Sequence, residues 1–550
     1  MPYVVTRSCC ADASCVLACP VNCIHPAPGE PGFGTAEMLY VDPQTCVDCG
    51  ACTTACPVDA LKPHTALGPG ELPFVELNAA YYRTNPHADR TPMYVVPSQR
   101  ALPAGELSVA VVGAGPAGLF VADELLRHPG VRVVVYERLL TPYGLVRAGV
   151  APDHQDTKQV TELFAAIEAQ PGFSYRLGVE VGADVTHEDL RREHDAVVYA
   201  VGAATDRRLG VEGEELTGSV SATDFVAWYN GHPDRAEDAH ALDGERAVVI
   251  GNGNVALDVA RVLTADPQEL ARTDISDRAL EALRESRVRE VVLLGRRGPA
   301  QAAFTVPELV ALSALEGVDV CVEGWPEGLD PNDSEKTRLL AALAARTPVG
   351  GRRRIVLRFL TAPVRLLGAD GRVRGVEVTP TELYTDDTGT MRARPTGQSE
   401  VLETGLVLRS VGYRARPVPG LPFDEETATV PHEQGRITAG VYVAGWIKRG
   451  PTGFIGTNKT CAQETAASLL DDFAAGRLAR TPAGPDAGDG GLGDAGDAGG
   501  GLGLEAWRAI DRAERAAGRV QGRPRVKFTD FESLHRAAAQ DAPAGAVVRG

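Results

Sequence analysis

Nine of the eleven cysteines fall within the first 56 residues, at positions 9, 10, 15, 19, 23, 46, 49, 52 and 56. The last four read C-x2-C-x2-C-x3-C and are followed by Pro57. Thiolates at this spacing suit iron–sulfur ligation, three wrapping one cluster while the fourth reaches its neighbour. The pattern predicts a [4Fe–4S] cluster on Cys46, Cys49 and Cys52, completed by the remote Cys19, which precedes Pro20. Cys56 is left for a second cluster. In the same frame the first run reads Cys9-x2-Asp12-x2-Cys15-x3-Cys19, with an aspartate where the middle thiolate is due. A carboxylate is a harder and weaker ligand for such iron. The first cluster is therefore expected as [3Fe–4S] on Cys9, Cys15 and Cys56, or as [4Fe–4S] with its fourth iron on Asp12 or water. Cys10 competes with Cys9 if the loop shifts by one residue. Cys23 has no place in the pattern and reads as a small core residue nearby. Cys321 and Cys461, without metal spacing, read as core residues too.

A second chemistry is written twice. Gly113-Ala-Gly115-Pro-Ala-Gly118 follows the apolar run "LSVAVV" and opens a helical pattern. Such glycines allow a tight turn and bring backbone N–H groups up to a pyrophosphate at a helix N-terminus. Glu137 ends the next strand, "VRVVVYE", where a carboxylate can accept from the adenosine ribose. The motif alone is weak; its strand, helix and distant acid make it specific. The second copy is Gly251-Asn-Gly253-Asn-Val-Ala256. Its following strand runs into "LLGRRG", placing Arg296 and Arg297 where an NAD site often carries an acid. Planar guanidiniums match the oxygens of a 2′-phosphate, so the pair predicts NADP.

These motifs need strands alternating with helices, which implies parallel sheets covered on both faces. The expected fold class is multidomain: an N-terminal α+β module, then α/β with two Rossmann-like dinucleotide-binding domains. The 550 residues are divided as 1–63 (module), 64–106 (connector), 107–208 and 408–480 (one discontinuous FAD domain) and 209–407 (NADP domain). A flexible Gly/Asp/Ala linker over 481–503 and a helical extension over 504–550 complete the chain. As a coil, the connector would span about 35–40 Å. In the extension Ala506, Ile510, Ala513 and Ala517 recur at helical spacing and predict a helix docked on the core.

Composition removes other classes. The 55 basic residues against 73 acidic ones, a balance of −18, argue against a nucleic-acid binder. No apolar run reaches about 18 residues, so no membrane span is expected, and Met1–Cys10 lacks the form of a signal peptide. Cysteines this closely packed read as metal ligands in a reducing cytoplasm.

With these residues in view, 1–63 resembles a bacterial two-cluster ferredoxin. Its charge agrees, Arg7 and Lys62 opposing Asp12, Glu30, Glu37, Asp42, Asp48 and Asp59. From about 107 to 475 the chain resembles the adrenodoxin-reductase-like ferredoxin–NADP reductases, through "GAGPAG", "TPYGLVRAGVAPDH", "GRRGP" and "GVYVAGWIKRGPTGFIGTNKT". The tail "GRPRVKFTD" also looks family-like, and the whole resembles bacterial fusions of the two. The resemblance implies FAD contacts at Ala117, Glu137, Leu145, Val181, Trp446, Gly453, Phe454 and Ile455, beside Gly113 and Gly115. It implies NADP contacts at Asn252, Gly253, Asn254, Val255, Arg296, Arg297, Glu308 and Gly453. Trp446 replaces the aspartate of many related flavin enzymes. No C-x-x-C lies beyond residue 56, which removes the thioredoxin-reductase reading.

The function so implied is electron transfer between NADPH and ferredoxin-type one-electron carriers through FAD, with an iron–sulfur domain in cis and an external carrier or electron-accepting enzyme as partner. Gly453, lacking a side chain, would let a nicotinamide stack on the flavin ring. His154 and Asp258 are the candidate catalytic groups, for hydrogen bonding or proton relay. Simple packing for His154, and capping or a surface role for Asp258, stay open at this stage. Two rivals are the electron-feeding subunit of a glutamate-synthase-like complex, disfavoured by "GRRGP" and "WIKRGPTG", and a non-catalytic electron store.

Overall fold

The computed structural model describes residues 2–93, 102, 103, 105–478 and 501–539. The low-complexity stretch 483–500 lies outside the described residues, as do 94–101 of the expected connector.

The N-terminal module is built on two short antiparallel ribbons, Tyr3–Val5 with Leu61–Pro63 and Ile24–His25 with Tyr40–Val41. Helices Ser14–Ala18 and Ala51–Ala55 carry the thiol loops. So small a unit buries little apolar surface by itself. The chain adds to it with helix Pro73–Thr84, whose Phe74 and Leu77 join Val4, Val5, Ile24 and Val41 in one core. The Asn78 amide accepts from Val5 N–H (3.2 Å) and Val41 N–H (2.9 Å) and donates to Val5 C=O (2.9 Å). It thus stitches the two ribbons where no strand runs between them. Within the connector expected over 64–106, the stretch through Thr84 is a structural part of the module.

The first large sheet runs in the order 436–438, 441–443, 196–199, 107–112, 131–137, 173–177, all parallel except its edge strand Arg436–Thr438. Every residue of Leu107–Val112 is buried, as a strand covered on both faces requires. Helix Pro116–Leu126 and the long helix Ile455–Ala474 pack together in its core through Leu119, Ala122, Ala462 and Ala466. Strand Val441–Val443 returns to this sheet after the whole second unit has been made.

That second unit is a six-stranded, fully parallel sheet ordered 219–221, 406–409, 246–250, 290–294, 353–358, 318–323. The expected boundary at 407 falls inside strand Leu406–Arg409, whose buried Leu406, Val407 and Leu408 make it central to this sheet. Strands between Thr361 and Glu403 form a separate antiparallel sheet whose Val376 and Val378 pack on Val248 and Val292. Thr205–Asp206 pairs with Tyr413–Arg414 where the chain enters and leaves the unit.

The extension holds helices Leu504–Gln521 and Phe531–Ala539. Trp507 and Ile510 are buried in the first domain's core, Trp507 edge-on to Tyr143 at 5.4 Å. Leu502, assigned above to the flexible linker, exchanges backbone hydrogen bonds with Leu177 at 2.8 and 2.9 Å and is held in place.

Candidate functional site

The two thiol loops have the same backbone, thirty-seven residues apart. Left-handed Ala11, Ala13 and Asn22 in the first correspond to Asp48, Gly50 and Asp59 in the second. Helix Ser14–Ala18 likewise corresponds to Ala51–Ala55, and Cys19 to Cys56 as the capping residue after each. In this register Cys9 matches Cys46, Cys15 matches Cys52, and Asp12 takes the place of Cys49. Cys10 matches Val47 instead of a ligand position.

One cavity is lined by Cys19, Cys46, Cys49 and Cys52, with Cys23 among them. The Cys23 Sγ lies 3.4 Å from that of Cys19. Its hydrogen bonds to Cys19 and Cys46 lower the pKa of both and hold its own thiol protonated. Cys23 is therefore a fifth sulfur in the cavity, closer than a bystander of the core.

At the other end, burial pushes Cys9 up to about 11, and pushes Cys15 and Cys56 up as well. Cys56 and Asp12 add to the effect at Cys9 by like-charge repulsion. Thiols crowded with a carboxylate in this way fit a bound metal cluster, which removes their protons outright. Asp12 is bonded by Ser14 Oγ, and Lys459 Nζ lies 3.6 Å from its carboxylate.

The first fingerprint is shaped by close approaches. A Cβ on Gly113 (φ +105°) would lie 2.6 Å from Ala200 C=O, and one on Gly118 would lie 2.0 Å from Gly113 C=O. Gly115 instead faces open space, with nothing within 4 Å of a Cβ there. That is the room a pyrophosphate needs over the start of helix Pro116–Leu126. Glu137 accepts from Ala114 and Leu139 N–H, each at 3.0 Å, while burial raises its pKa.

Two later segments converge on this loop. A Cβ on Gly144, beside the exposed Leu145, would sit 3.2 Å from Gly115 Cα, and one on Gly445 would sit 2.6 Å from the Cβ of Ala117. Trp446 follows, its Nε1–H donating to Thr452 C=O at 3.1 Å and its ring 5.2 Å from Tyr413. Val181 is half-buried in the same apolar cluster as Trp446. Gly453 has φ +81°, and Phe454 and Ile455 start the long helix. Nε and Nη1 of the neighbouring Arg449 are buried without an acceptor among the described residues. Two orphaned donors beside the glycine loop fit an absent polar group. Arg449 carried no signal beyond its place in "WIKRGPTG".

In the second fingerprint a Cβ on Gly251 (φ +126°) would lie 2.0 Å from Ser410 C=O, and Gly253 again faces open space. Asn254 Oδ1 accepts from Thr305 N–H at 2.9 Å, and Asn252 C=O from Phe304 N–H at 2.9 Å. Val255 is half-buried against the unit's core. The second fingerprint thus fixes the start of helix Val306–Ser313, which bears Glu308. Arg296 is exposed and Arg297 half-buried just beyond strand Glu290–Leu294. Neither has an ion-pair partner among the described residues, as guanidiniums awaiting an anion should not.

His154, Asp258 and Glu308 meet between the domains, each offering a ligand atom within 4.8 Å of the others. His154 Nε2 is 3.4 Å from Asp258 Oδ1. Arg261, 2 % exposed at its side chain, was not expected here. It reaches Asp153 (2.8 Å), Asp258 (2.6 Å) and Glu308 (3.1 Å) and also contacts His154. Burial, the largest single influence, would raise Asp258 and Asp153, but Arg261 and His154 together outweigh it and hold both carboxyls below their usual range. Asp258 is therefore an inward-facing, ion-paired group, not a surface cap. A basic residue on a helix gives no sequence sign of such burial.

Comparison with known proteins finds relatives of both parts of the chain. Residues 39–62 match the family model of the 4Fe-4S binding domain, and residues 107–292 that of pyridine nucleotide-disulphide oxidoreductases. A probable ferredoxin/ferredoxin–NADP reductase of Mycobacterium tuberculosis is 50 % identical over 99 % of this chain and 96 % of its own. The NADPH-ferredoxin reductase FprA of Mycobacterium leprae is 45 % identical, over 78 % of this chain and 97 % of its own. The structure of Mycobacterium tuberculosis FprA in complex with NADPH superposes with a TM-score of 0.72 at 41 % identity, covering 79 % of this chain and 99 % of that one. No helix among the described residues is long and apolar enough to cross a membrane. A two-loop thiol module joined to two parallel α/β units, with a relative 50 % identical over 99 % of the chain, makes this chain a member of the ferredoxin/ferredoxin–NADP reductase family.

Proposed function

We propose that the chain moves electrons between NADPH and one-electron carriers through FAD, and that its own N-terminal module is the nearest such carrier. One contact carries this reading: Gly456 N–H, in the first turn of the helix that follows the flavin-side turn, donates to Cys10 C=O at 2.8 Å. The thiol loop therefore rests directly on the segment that would close over a flavin. FAD, when bound, accepts the electron pair of a hydride and releases electrons singly.

The residues present would serve as follows. Gly113, Gly115 and Ala117 would bring N–H groups to the FAD pyrophosphate, and Glu137 would hold the ribose. Arg296 and Arg297 would take the 2′-phosphate of NADPH and so exclude NADH. Cys19, Cys46, Cys49 and Cys52 would hold a [4Fe–4S] cluster. Cys9, Cys15 and Cys56 would hold the other, as [3Fe–4S] or with Asp12 or water completing it. His154 and Asp258 would serve in hydrogen bonding or proton relay, with imidazole Nε2 accepting from Arg7 and Arg261 beside Asp258. We assign FAD binding to 107–208 with 410–478, and NADP binding to 209–409. Thiols of this density suit the reducing cytoplasm.

Anaerobic titration of the purified protein with NADPH, followed by absorbance and electron paramagnetic resonance, tests the reading. It should count one flavin and two clusters and show reduction of at least one cluster. Protein without bound flavin or inorganic sulfide after oxygen-free preparation would overturn it.

A further inference from the structure

The helix Val306–Ser313 is held from two sides by the iron–sulfur module. At its start, Glu37 accepts from Val306 N–H at 2.6 Å, while Thr305, the residue in the capping position, makes no side-chain cap. The module supplies the missing acceptor, and a carboxylate there also suits the positive end of a helix. Two residues on, Arg7 grips Glu308, Nε to Oε1 at 3.2 Å and Nη2 to Oε2 at 3.1 Å. The same guanidinium contacts Nε2 of His154. Further along the helix Val310, 1 % exposed, is buried in the module's own core with Phe74 and Leu77.

We infer that the iron–sulfur module is a working part of the NADP site: Arg7 and Glu37 are positioning residues that fix Glu308 and the start of its helix. The inference rests on the functional reading above, in which Glu308 faces NADP. Arg261 alone meets Glu308 through one oxygen, at 3.1 Å. Arg7 occupies both oxygens in a planar fork, which removes the carboxylate's rotational freedom. Module docking and nucleotide binding are then linked, because each favours the same placement of this helix.

The test uses the full-length protein with FAD and clusters in place. Arg7→Ala, Arg7→Lys and Glu37→Gln are compared with the unaltered chain for NADP+ affinity, read from the change in flavin absorbance without turnover. FAD and iron content are measured alongside. Loss of the two-point grip in Arg7→Ala, and of the acceptor's charge in Glu37→Gln, should each weaken NADP+ binding about ten-fold. Arg7→Lys, keeping the charge without the fork, should recover part of the loss. Hydrogen exchange over 305–313 should quicken in the same two variants. Unchanged affinity in both overturns the inference, and so does weakening confined to Arg7→Ala and accompanied by lost iron. Failure of the unaltered protein to bind NADP+ would instead defeat the functional reading itself.

Discussion

Gly456 and Ala11 meet backbone to backbone: a Cβ on Gly456 would lie 2.4 Å from the carbonyl carbon and oxygen of Ala11. Backbone cannot step aside as a flexible side chain can, so Gly456→Val should lift the thiol loop from the flavin-side helix. NADPH-driven reduction of the clusters should slow about ten-fold or more, while reduction of a small acceptor directly at the flavin persists. Stopped-flow absorbance separates the two. Equal cluster reduction in the variant would show that this contact is not the junction.

Arg296 and Arg297 bear on nucleotide choice. Each forms a charge-assisted bond with the phosphate in the proposed complex, so Arg297→Gln should raise KM for NADPH about ten-fold and leave kcat and the NADH reaction nearly unchanged. The double variant should lose most of its preference for NADPH. Steady-state kinetics with both nucleotides decides it.

Asp12 stands where the second loop has Cys49. Asp12→Cys should complete a four-thiolate set and convert a [3Fe–4S] resonance signature to that of [4Fe–4S] after reconstitution with iron. It also removes the carboxylate 3.6 Å from Lys459, which keeps its hydrogen bond to Ser14 Oγ, so docking should weaken slightly. An unchanged spectrum would refute the labile corner.

Asp274 lies between two buried lysines, 2.7 Å from Lys158 Nζ and 2.9 Å from Lys527 Nζ. Burial lowers both lysine pKa values, while the lysines hold Asp274 well below the usual carboxylate range. Asp274→Asn leaves two buried cations unpaired and should cost about 3–5 kcal/mol. The pH dependence follows from the same shifts. With lysine pKa values lowered in the folded state, the unfolded chain binds more protons below about pH 10, so the variant's stability should rise with pH. In the unaltered protein the depressed Asp274 contributes stability above about pH 4 that is lost as pH falls below it. Urea unfolding between about pH 6 and pH 9 checks the first of these, and acid unfolding the second.

Much of the site was legible because its chemistry constrains spacing. Cysteines that wrap a cluster, and glycines that must let Ala200 or Ser410 approach, can be counted along the chain. The remainder depends on encounters between residues far apart in sequence. Asn78 looks like any polar residue in a Pro-rich stretch until its amide is seen bridging Val5 and Val41. Arg261 and Arg7 are ordinary basic residues, yet they meet over Glu308 from 47 and 301 positions away. Strand Leu406–Arg409 was cut by the expected boundary because an apolar run does not say which of two parallel sheets it will enter.

The late arrival of Val441–Val443 has a consequence for synthesis. The first nucleotide-binding sheet stays one parallel strand short until the ribosome has passed Val443, and the long helix that covers it comes later still. Over that interval the nascent iron–sulfur module can settle on the second unit through helix Val306–Ser313, but not on the first sheet's missing half. Chains stalled or cleaved before residue 441 should therefore be prime substrates for chaperones and proteases, whereas the second sheet, complete at Arg409, can form on its own schedule.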